Sequence, residues 1–318
     1  MQGPFGLAHI IGDSPQMDYV RAQLRRVAPT HASVLLIGGC GTGKELAARA
    51  VHAHSARASG PFIALNCATT ATNQIETELF GHPGGARPAH AGVFERAHGG
   101  TLFLEEVANL PGDVQVRVLR VLESGRLMRV GGTSEFQVDV RVIAATDQGL
   151  EQALSEGRLR EDLLYRLAVF SIQLPPLRER GADLEQLAEH FLVELNAATG
   201  DSKNFSSESF RTLRRHSWPG NVRELRNAVE RAYLRSDELI EMEPLGAKAP
   251  PAARMSHSNN SSIEVGSKLK DAERWLIEAT LEHFDGHKTQ AAVALGCSLK
   301  TLYNKLNGYT RAAAVIHS

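Results

Sequence analysis

Hydrophobic and polar positions follow two rhythms over the first part of the chain. Short runs rich in β-branched, leucine and aromatic residues predict strands at Val34 to Ile37, Phe62 to Asn66, Thr101 to Glu105, Val140 to Ala145 and Phe170 to Gln173. Between them, segments such as Glu45 to His54 and Asp113 to Glu123 carry apolar residues at helical spacing. This alternation predicts a doubly wound α/β domain around a parallel sheet. After Pro175-Pro176 the strand signal stops, and Ala182 to Ala198, Ser206 to His216 and Pro219 to Arg235 read as helices of an α-helical subdomain. Trp218-Pro219-Gly220-Asn221 marks the start of the last helix, with Pro219 near its first turn.

Between Leu245 and Lys268 large apolar residues almost vanish in favour of Ala, Pro, Ser, Asn and Gly, so this stretch reads as a flexible linker. A linker of that length would hold its ends on the order of 25 Å apart. From Leu269 to Tyr309 helical periodicity returns in three stretches, separated by Asp285-Gly286 and by Gly296. The predicted division is 9–176 for the α/β part, 177–244 for the helical subdomain, 245–268 for the linker and 269–310 for the tail.

Composition narrows the class. A net charge of -1 with 42% hydrophobic and 22% charged residues describes a globular protein rather than a disordered, fibrous or membrane chain. The longest apolar runs, such as Val34-Leu35-Leu36-Ile37, fall far short of the roughly 20 residues that cross a bilayer. Met1-Gln2-Gly3-Pro4-Phe5 has neither the basic start nor the apolar stretch of a secretory signal. Cys40, Cys67 and Cys297 show no metal-type spacing and an odd total, which fits a reducing compartment. The expectation is a cytoplasmic protein.

The chemistry centres on Gly38-Gly39-Cys40-Gly41-Thr42-Gly43-Lys44, which follows a predicted strand and opens a predicted helix. That setting gives a G-x-x-x-x-G-K spacing its meaning: glycines let backbone N–H groups close around phosphate oxygens, and the helix start adds partial positive charge. Lys44 would reach the β- and γ-phosphates. The next residue, usually the Ser or Thr that holds magnesium, is Glu45. Hydrolysis also needs an acidic pair at a neighbouring strand end, one acid toward Mg2+ and one orienting water. Gly100-Thr101-Leu102-Phe103-Leu104-Glu105-Glu106 supplies it. Two glutamates after a strand are most often solvated surface, but beside a phosphate loop they read as part of the site.

These residues, with Glu78-Leu79-Phe80-Gly81-His82, Gly99-Gly100-Thr101-Leu102-Phe103-Leu104, Leu174-Pro175-Pro176-Leu177-Arg178-Glu179-Arg180 and Trp218-Pro219-Gly220-Asn221-Val222-Arg223-Glu224-Leu225, carry a resemblance. From about Ile11 to Tyr309 the chain resembles the bacterial enhancer-binding proteins, the AAA+ activators of sigma-54 RNA polymerase. The resemblance implies an AAA+ P-loop NTPase fold with an α-helical lid, ATP and Mg2+ as ligands, and a ring-shaped homo-oligomer. It implies that Glu105 faces the metal, that Glu106 polarises the attacking water and that Asn66 restrains Glu106 until the nucleotide state changes. Arg160 and Arg166 match arginine fingers that reach the adjacent subunit's nucleotide, and Arg223 matches the arginine that joins the lid to the phosphates. Glu45 after Lys44 is the family's own habit, and Cys40 fills a family Ser position. With so little chain before Ile11, the expectation is that no receiver domain precedes the ATPase.

Three departures accompany the matches. The family's sigma-contacting loop reads Gly-Ala-Phe-Thr-Gly-Ala, whereas this chain reads Gly85-Ala86-Arg87-Pro88-Ala89-His90 in a shorter segment. A shorter loop with a cation at its tip should neither reach as far nor bury an aromatic ring. Glu105 replaces the family's Asp, displacing the carboxylate by about 1 Å, a misplacement that can cost on the order of 100-fold in rate. Asp147 replaces the Asn of the first sensor; a carboxylate near the γ-phosphate is repelled by about 4 kcal/mol at 4 Å and an effective dielectric of 20. The expectation is retained nucleotide binding with slow turnover.

In the tail, Lys288 to Gly296 and Ser298 to Leu306 read as a helix, a glycine turn and a second helix capped by Ser298. Leu299, Leu302 and Leu306 form the inward face, leaving Lys300, Thr301, Asn304 and Lys305 for phosphates and base edges of a major groove. The resemblance extends here to the Fis-type helix-turn-helix, which implies binding of double-stranded DNA by paired tails, with RNA polymerase as the downstream partner. Two other readings stand beside it. One is a DNA-binding regulator that uses ATP as an assembly switch at sigma-70 promoters or as a repressor. The other is a deficient partner in a mixed ring.

Overall fold

The computed structural model describes residues 6–84, 89–147 and 149–242, and in the tail the single positions 273, 277, 280, 288, 294, 295, 301, 302 and 305. The chain divides into two compact units, 1–247 and 248–318. Among the described residues no helix is long and apolar enough to cross a membrane.

The first unit opens with α1 (Pro15–Val27) and then alternates β1 (Val34–Ile37), α2 (Lys44–Ala53), β2 (Phe62–Asn66), α3 (Thr72–Phe80), α4 (Val93–Arg96) and β3 (Thr101–Glu105). There follow α5 (Gly112–Ser124), the hairpin strands β4 (Arg126–Met128) and β5 (Glu135–Gln137), β6 (Arg141–Thr146), α6 (Leu150–Ser155), α7 (Glu161–Leu167) and β7 (Phe170–Gln173). Five strands form one parallel sheet in the order β2-β3-β6-β1-β7. Because successive strand residues face opposite ways, the sheet feeds two cores. Leu35, Leu102, Leu104, Val142 and Ala144 pack with α3, α5 and α7 on one face. Val34, Leu36, Phe103, Ile143 and Ala145 pack with α1 and α2 on the other.

The expected strands form, four with the bounds read from sequence and the fourth in chain order shifted by one residue to Arg141–Thr146. Helices α1, α3, α4, α6 and α7 and the β4–β5 hairpin were not among the expected elements. The hairpin strands are three residues each, too short for alternation to register.

The lid comprises α8 (Asp183–Thr199), the two-residue strand β8 (Asn204–Phe205), α9 (Ser207–Arg215), α10 (Asn221–Arg235) and the two-residue strand β9 (Leu239–Ile240). Its core gathers Leu187, Phe191, Leu213, Leu225 and Val229 around Trp218, which is fully buried and donates its indole N–H to the Leu213 carbonyl at 2.9 Å. Helix α10 begins at Asn221, so Pro219 lies before the first turn rather than in it. In the second unit Ile277 and Leu302 are buried, which agrees with the inward position expected for Leu302.

Candidate nucleotide site

The strand order places the carboxyl ends of β1 and β3 on either side of β6, the edge where parallel α/β sheets bind ligands. Residues 38–43 leave β1 and turn into α2. Gly41 and Gly43 hold φ of 76° and 102°, left-handed values that favour glycine. Lys44, at the first position of α2, is 4% exposed; its ammonium donates to the Gly38 carbonyl at 2.7 Å and lies 3.1 Å from Glu106 Oε1. The Gly39 carbonyl accepts the Thr42 hydroxyl at 2.8 Å. Glu45 turns to Arg49, 2.7 Å away and one helical turn on.

The acidic pair is arranged differently from expectation. Asn66 and Glu105 are register partners in β2 and β3, and Asn66 Nδ2 donates to Glu105 Oε2 at 2.8 Å. Glu106 lies one residue past the strand end with φ of 56°, and its carboxylate pairs with Lys44. The expected restraint of Glu106 by Asn66 is therefore corrected: strand register hands Asn66 to Glu105. Beside them the buried Cys67 thiol is pushed up to about 12 by burial and by the charges of Glu106 and Glu105, which keeps it protonated and unreactive.

These groups meet in a cavity of about 620 Å³, a volume suited to a nucleotide. Its polar lining includes Cys40, Thr42, Lys44, Glu45, both acids, Arg180 and Arg223. Its apolar lining includes Ile11, Met17, Val20 and Phe191. Arg223 reaches over the phosphate loop, its Nη1 3.0 Å from Cys40 Sγ. Asn66, Asp147, Arg160 and Arg166 do not line this cavity. Asp147, expected beside the γ-phosphate, is exposed and accepts the Gly149 N–H at 2.9 Å, so its carboxylate is held in its own turn. Arg160 forks onto Asp162 at 3.0 and 2.7 Å, a contact that raises the Arg160 pKa and lowers that of Asp162. Arg166 donates to the Leu122 carbonyl at 2.6 Å. The two lie at the ends of α7, on the same helix as the exposed Tyr165.

Oxygen ligands from one or two carboxylates plus substrate phosphates are how magnesium is usually held. Glu105, anchored on one oxygen by Asn66 and lining the cavity, fits that role.

Comparison with known proteins agrees with this geometry. Residues 10–173 match the family described as Sigma-54 interaction domain, residues 178–262 the AAA+ ATPase lid domain, and residues 268–309 the Bacterial regulatory protein, Fis family. The chain belongs to the sigma-54 activator family. It is 42% identical over 320 residues to the transcriptional regulatory protein FlbD of Caulobacter vibrioides, covering 95% of this chain and 70% of that protein. It is 44% identical over 330 residues to the DNA-binding transcriptional regulator NtrC of Klebsiella pneumoniae, covering 94% and 70%. Among solved structures, NtrX from Brucella abortus in complex with ADP superposes with a TM-score of 0.71 at 37% identity, covering 94% of this chain and 68% of that one. The same protein in complex with ATP gives 0.70 with the same identity and coverage. The fold of this family member is thus an AAA+ P-loop NTPase with a helical lid and a Fis-type helix-turn-helix.

Of the tail residues expected at DNA, Lys300 and Asn304 lie outside the described residues, as do Gly85 to Pro88 of the sigma-contacting loop. Thr301 is helical and exposed; Lys305 is helical and half-buried, with its ammonium on Glu273. Two residues that shape the site carry no separate sequence signal: Arg180 and Asn221, both buried. Arg180 and Asn221 stand inside the quoted motifs at Leu174 to Arg180 and Trp218 to Leu225, which was the available signal.

Proposed function

We propose that this activator binds double-stranded DNA through its tail and binds ATP with Mg2+ in the cavity between phosphate loop and lid. A homo-oligomeric ring of such subunits then acts on sigma-54 RNA polymerase. The observation that carries this reading is the convergence of Lys44, Glu105, Glu106 and Arg223 on one cavity at the start of α2. The backbone N–H groups of the loop and Lys44 hold the phosphates, and Glu105 with Asn66 presents oxygen to the metal. The metal supplies charge neutralisation of the phosphoryl oxygens. Glu106 leaves Lys44 when the γ-phosphate takes its place, and its free carboxylate orients the attacking water. Arg160 and Arg166, outside the lining of their own cavity, serve a neighbour's nucleotide. Lys300, Thr301, Asn304 and Lys305 face the DNA. We place the functional divisions at 9–176, 177–244, 245–268 and 269–310; the family matches support the order of parts.

The family match over residues 10–173 favours sigma-54 as the target over the readings without it. The test uses purified protein, promoter DNA, sigma-54 polymerase and hydrolysable ATP in an open-complex assay. Open complexes that depend on ATP and on Lys44 are the expected result; DNA binding without opening overturns it.

A further inference from the structure

The phosphate loop is held from behind as well as from within. Three consecutive loop carbonyls each accept a hydrogen bond from the lid or its connection. Asn221 Nδ2 donates to Cys40 O at 2.8 Å, the Val222 N–H to Gly41 O at 3.0 Å, and Arg180 Nη2 to Thr42 O at 2.7 Å. A peptide unit is planar and trans, so its N–H points opposite to its C=O. Drawing carbonyls 40, 41 and 42 toward the lid therefore turns the amides of Gly41, Thr42 and Gly43 the other way; of these, the Thr42 N–H meets Gly39 O at 3.3 Å.

The donors are themselves fixed. Asn221 is 4% exposed with φ of 52°, and its Oδ1 accepts the Leu177 N–H at 2.9 Å, so both ends of its amide are used. Arg180 is 3% exposed and also forks onto the Pro175 carbonyl at 3.0 and 2.9 Å. The approach is close enough that a Cβ on Gly41 would lie 2.3 Å from the Gly220 carbonyl oxygen and 3.0 Å from Arg223 Cβ. Gly41 is thus a glycine for the lid's sake and not only for the phosphate's.

We infer that Asn221 and Arg180 are positioning residues for phosphate binding: by holding carbonyls 40 and 42 they set the direction of the loop amides, Asn221 from outside the cavity and Arg180 from its wall. Lid docking and phosphate affinity are then one linked equilibrium, and by reciprocity bound phosphate must tighten the lid. The inference rests on the nucleotide reading of the cavity and deepens it.

The test is a titration of the full chain with ADP and with AMP, which differ in the β-phosphate that the loop would hold. Asn221→Gly keeps the left-handed backbone free of strain and deletes the side-chain bonds to Cys40, Leu177 and Pro219. Arg180→Met deletes the bond to Thr42 together with the fork onto Pro175 while keeping the site filled. Each variant is expected to weaken ADP by about tenfold or more, through loss of buried hydrogen bonds worth about 1 kcal/mol each, while AMP changes by less than about twofold. A lid that was merely damaged would weaken both ligands equally. In the wild-type protein, saturating ADP should slow amide exchange at Val222. Unchanged ADP affinity in both variants, equal loss for AMP and ADP, or exchange at Val222 indifferent to ADP overturns the inference. Wild-type protein that binds neither nucleotide overturns the nucleotide reading instead.

Discussion

Lys44 and Arg166 are two cations expected at the same kind of phosphate, and the fold treats them in opposite ways. Lys44 is buried, begins a helix, and is held by the Gly38 carbonyl and the Glu106 carboxylate. Arg166 is exposed, lies outside the cavity, and is held by a single backbone carbonyl of its own chain, that of Leu122. The first is pre-set where a strand, a loop and a helix meet within ten residues. The second is presented on a surface helix, where, on the proposed function, a second copy would bring it a phosphate. One polypeptide would then build one half of the chemistry for itself and the other half for its neighbour.

The sharpest way to break this contrast is Arg166→Ala. ATP binding should be unchanged while phosphate release falls by about 10³ or more, the usual worth of an arginine finger. Mixing the variant with Lys44→Ala subunits, which keep Arg166 but lose their own site, should restore part of the turnover. Turnover that survives in the variant alone would remove Arg166 from the chemistry. Next in size, Lys44→Ala should lower ADP affinity by about 100-fold in calorimetry, through loss of a charge-assisted contact. An affinity within twofold of wild type would empty the first half of the comparison.

Glu105→Asp sharpens the contrast from the acidic side. Shortening the acid by one methylene should raise turnover on the order of tenfold if its length misplaces the metal-facing oxygen. A fall in turnover would mean that the Asn66 contact, which the shorter side chain loses, matters more than the length. The smallest effect concerns a residue outside both halves. His52, whose Nδ1 lies 2.9 Å from the Thr101 hydroxyl, has its pKa lowered from 6.5, first by burial and then by the charges of Arg141 and Arg49. Its folded value lies below its unfolded one, so the stability it contributes is present above pH 6.5 and is lost as pH falls through the folded value. Urea unfolding between about pH 7.5 and 5 should show that acid limb, and His52→Gln should flatten it. An identical pH slope in the variant would exclude His52 as its source.

Much of the scaffold was legible because buried parallel strands write themselves as unbroken apolar runs. Val34 to Ile37 and Thr101 to Glu105 could be bounded to the residue. The phosphate loop was legible because glycine spacing and a following lysine admit few other structures. What escaped depends on register and direction, which local pattern does not encode. Whether Asn66 meets Glu105 or Glu106 is decided by how β2 aligns with β3. Asp147 is turned to its own loop by the Gly149 N–H, a direction no residue letter records. Arg180 and Asn221 were visible as motif letters, yet their partners are loop carbonyls far away in sequence, and nothing in a one-dimensional pattern names a backbone acceptor.

Glu106 carries its carboxylate on a backbone with φ of 56°, a region that costs a side chain other than Gly, Asn or Asp roughly 1 kcal/mol. Such a mount is stiff, because adjoining β3 and the short 3₁₀ turn Val107–Asn109 hold it on both sides. Any toggling of this acid between ammonium and water is therefore confined to rotation about its own side-chain bonds, a pendulum swinging from a fixed pivot.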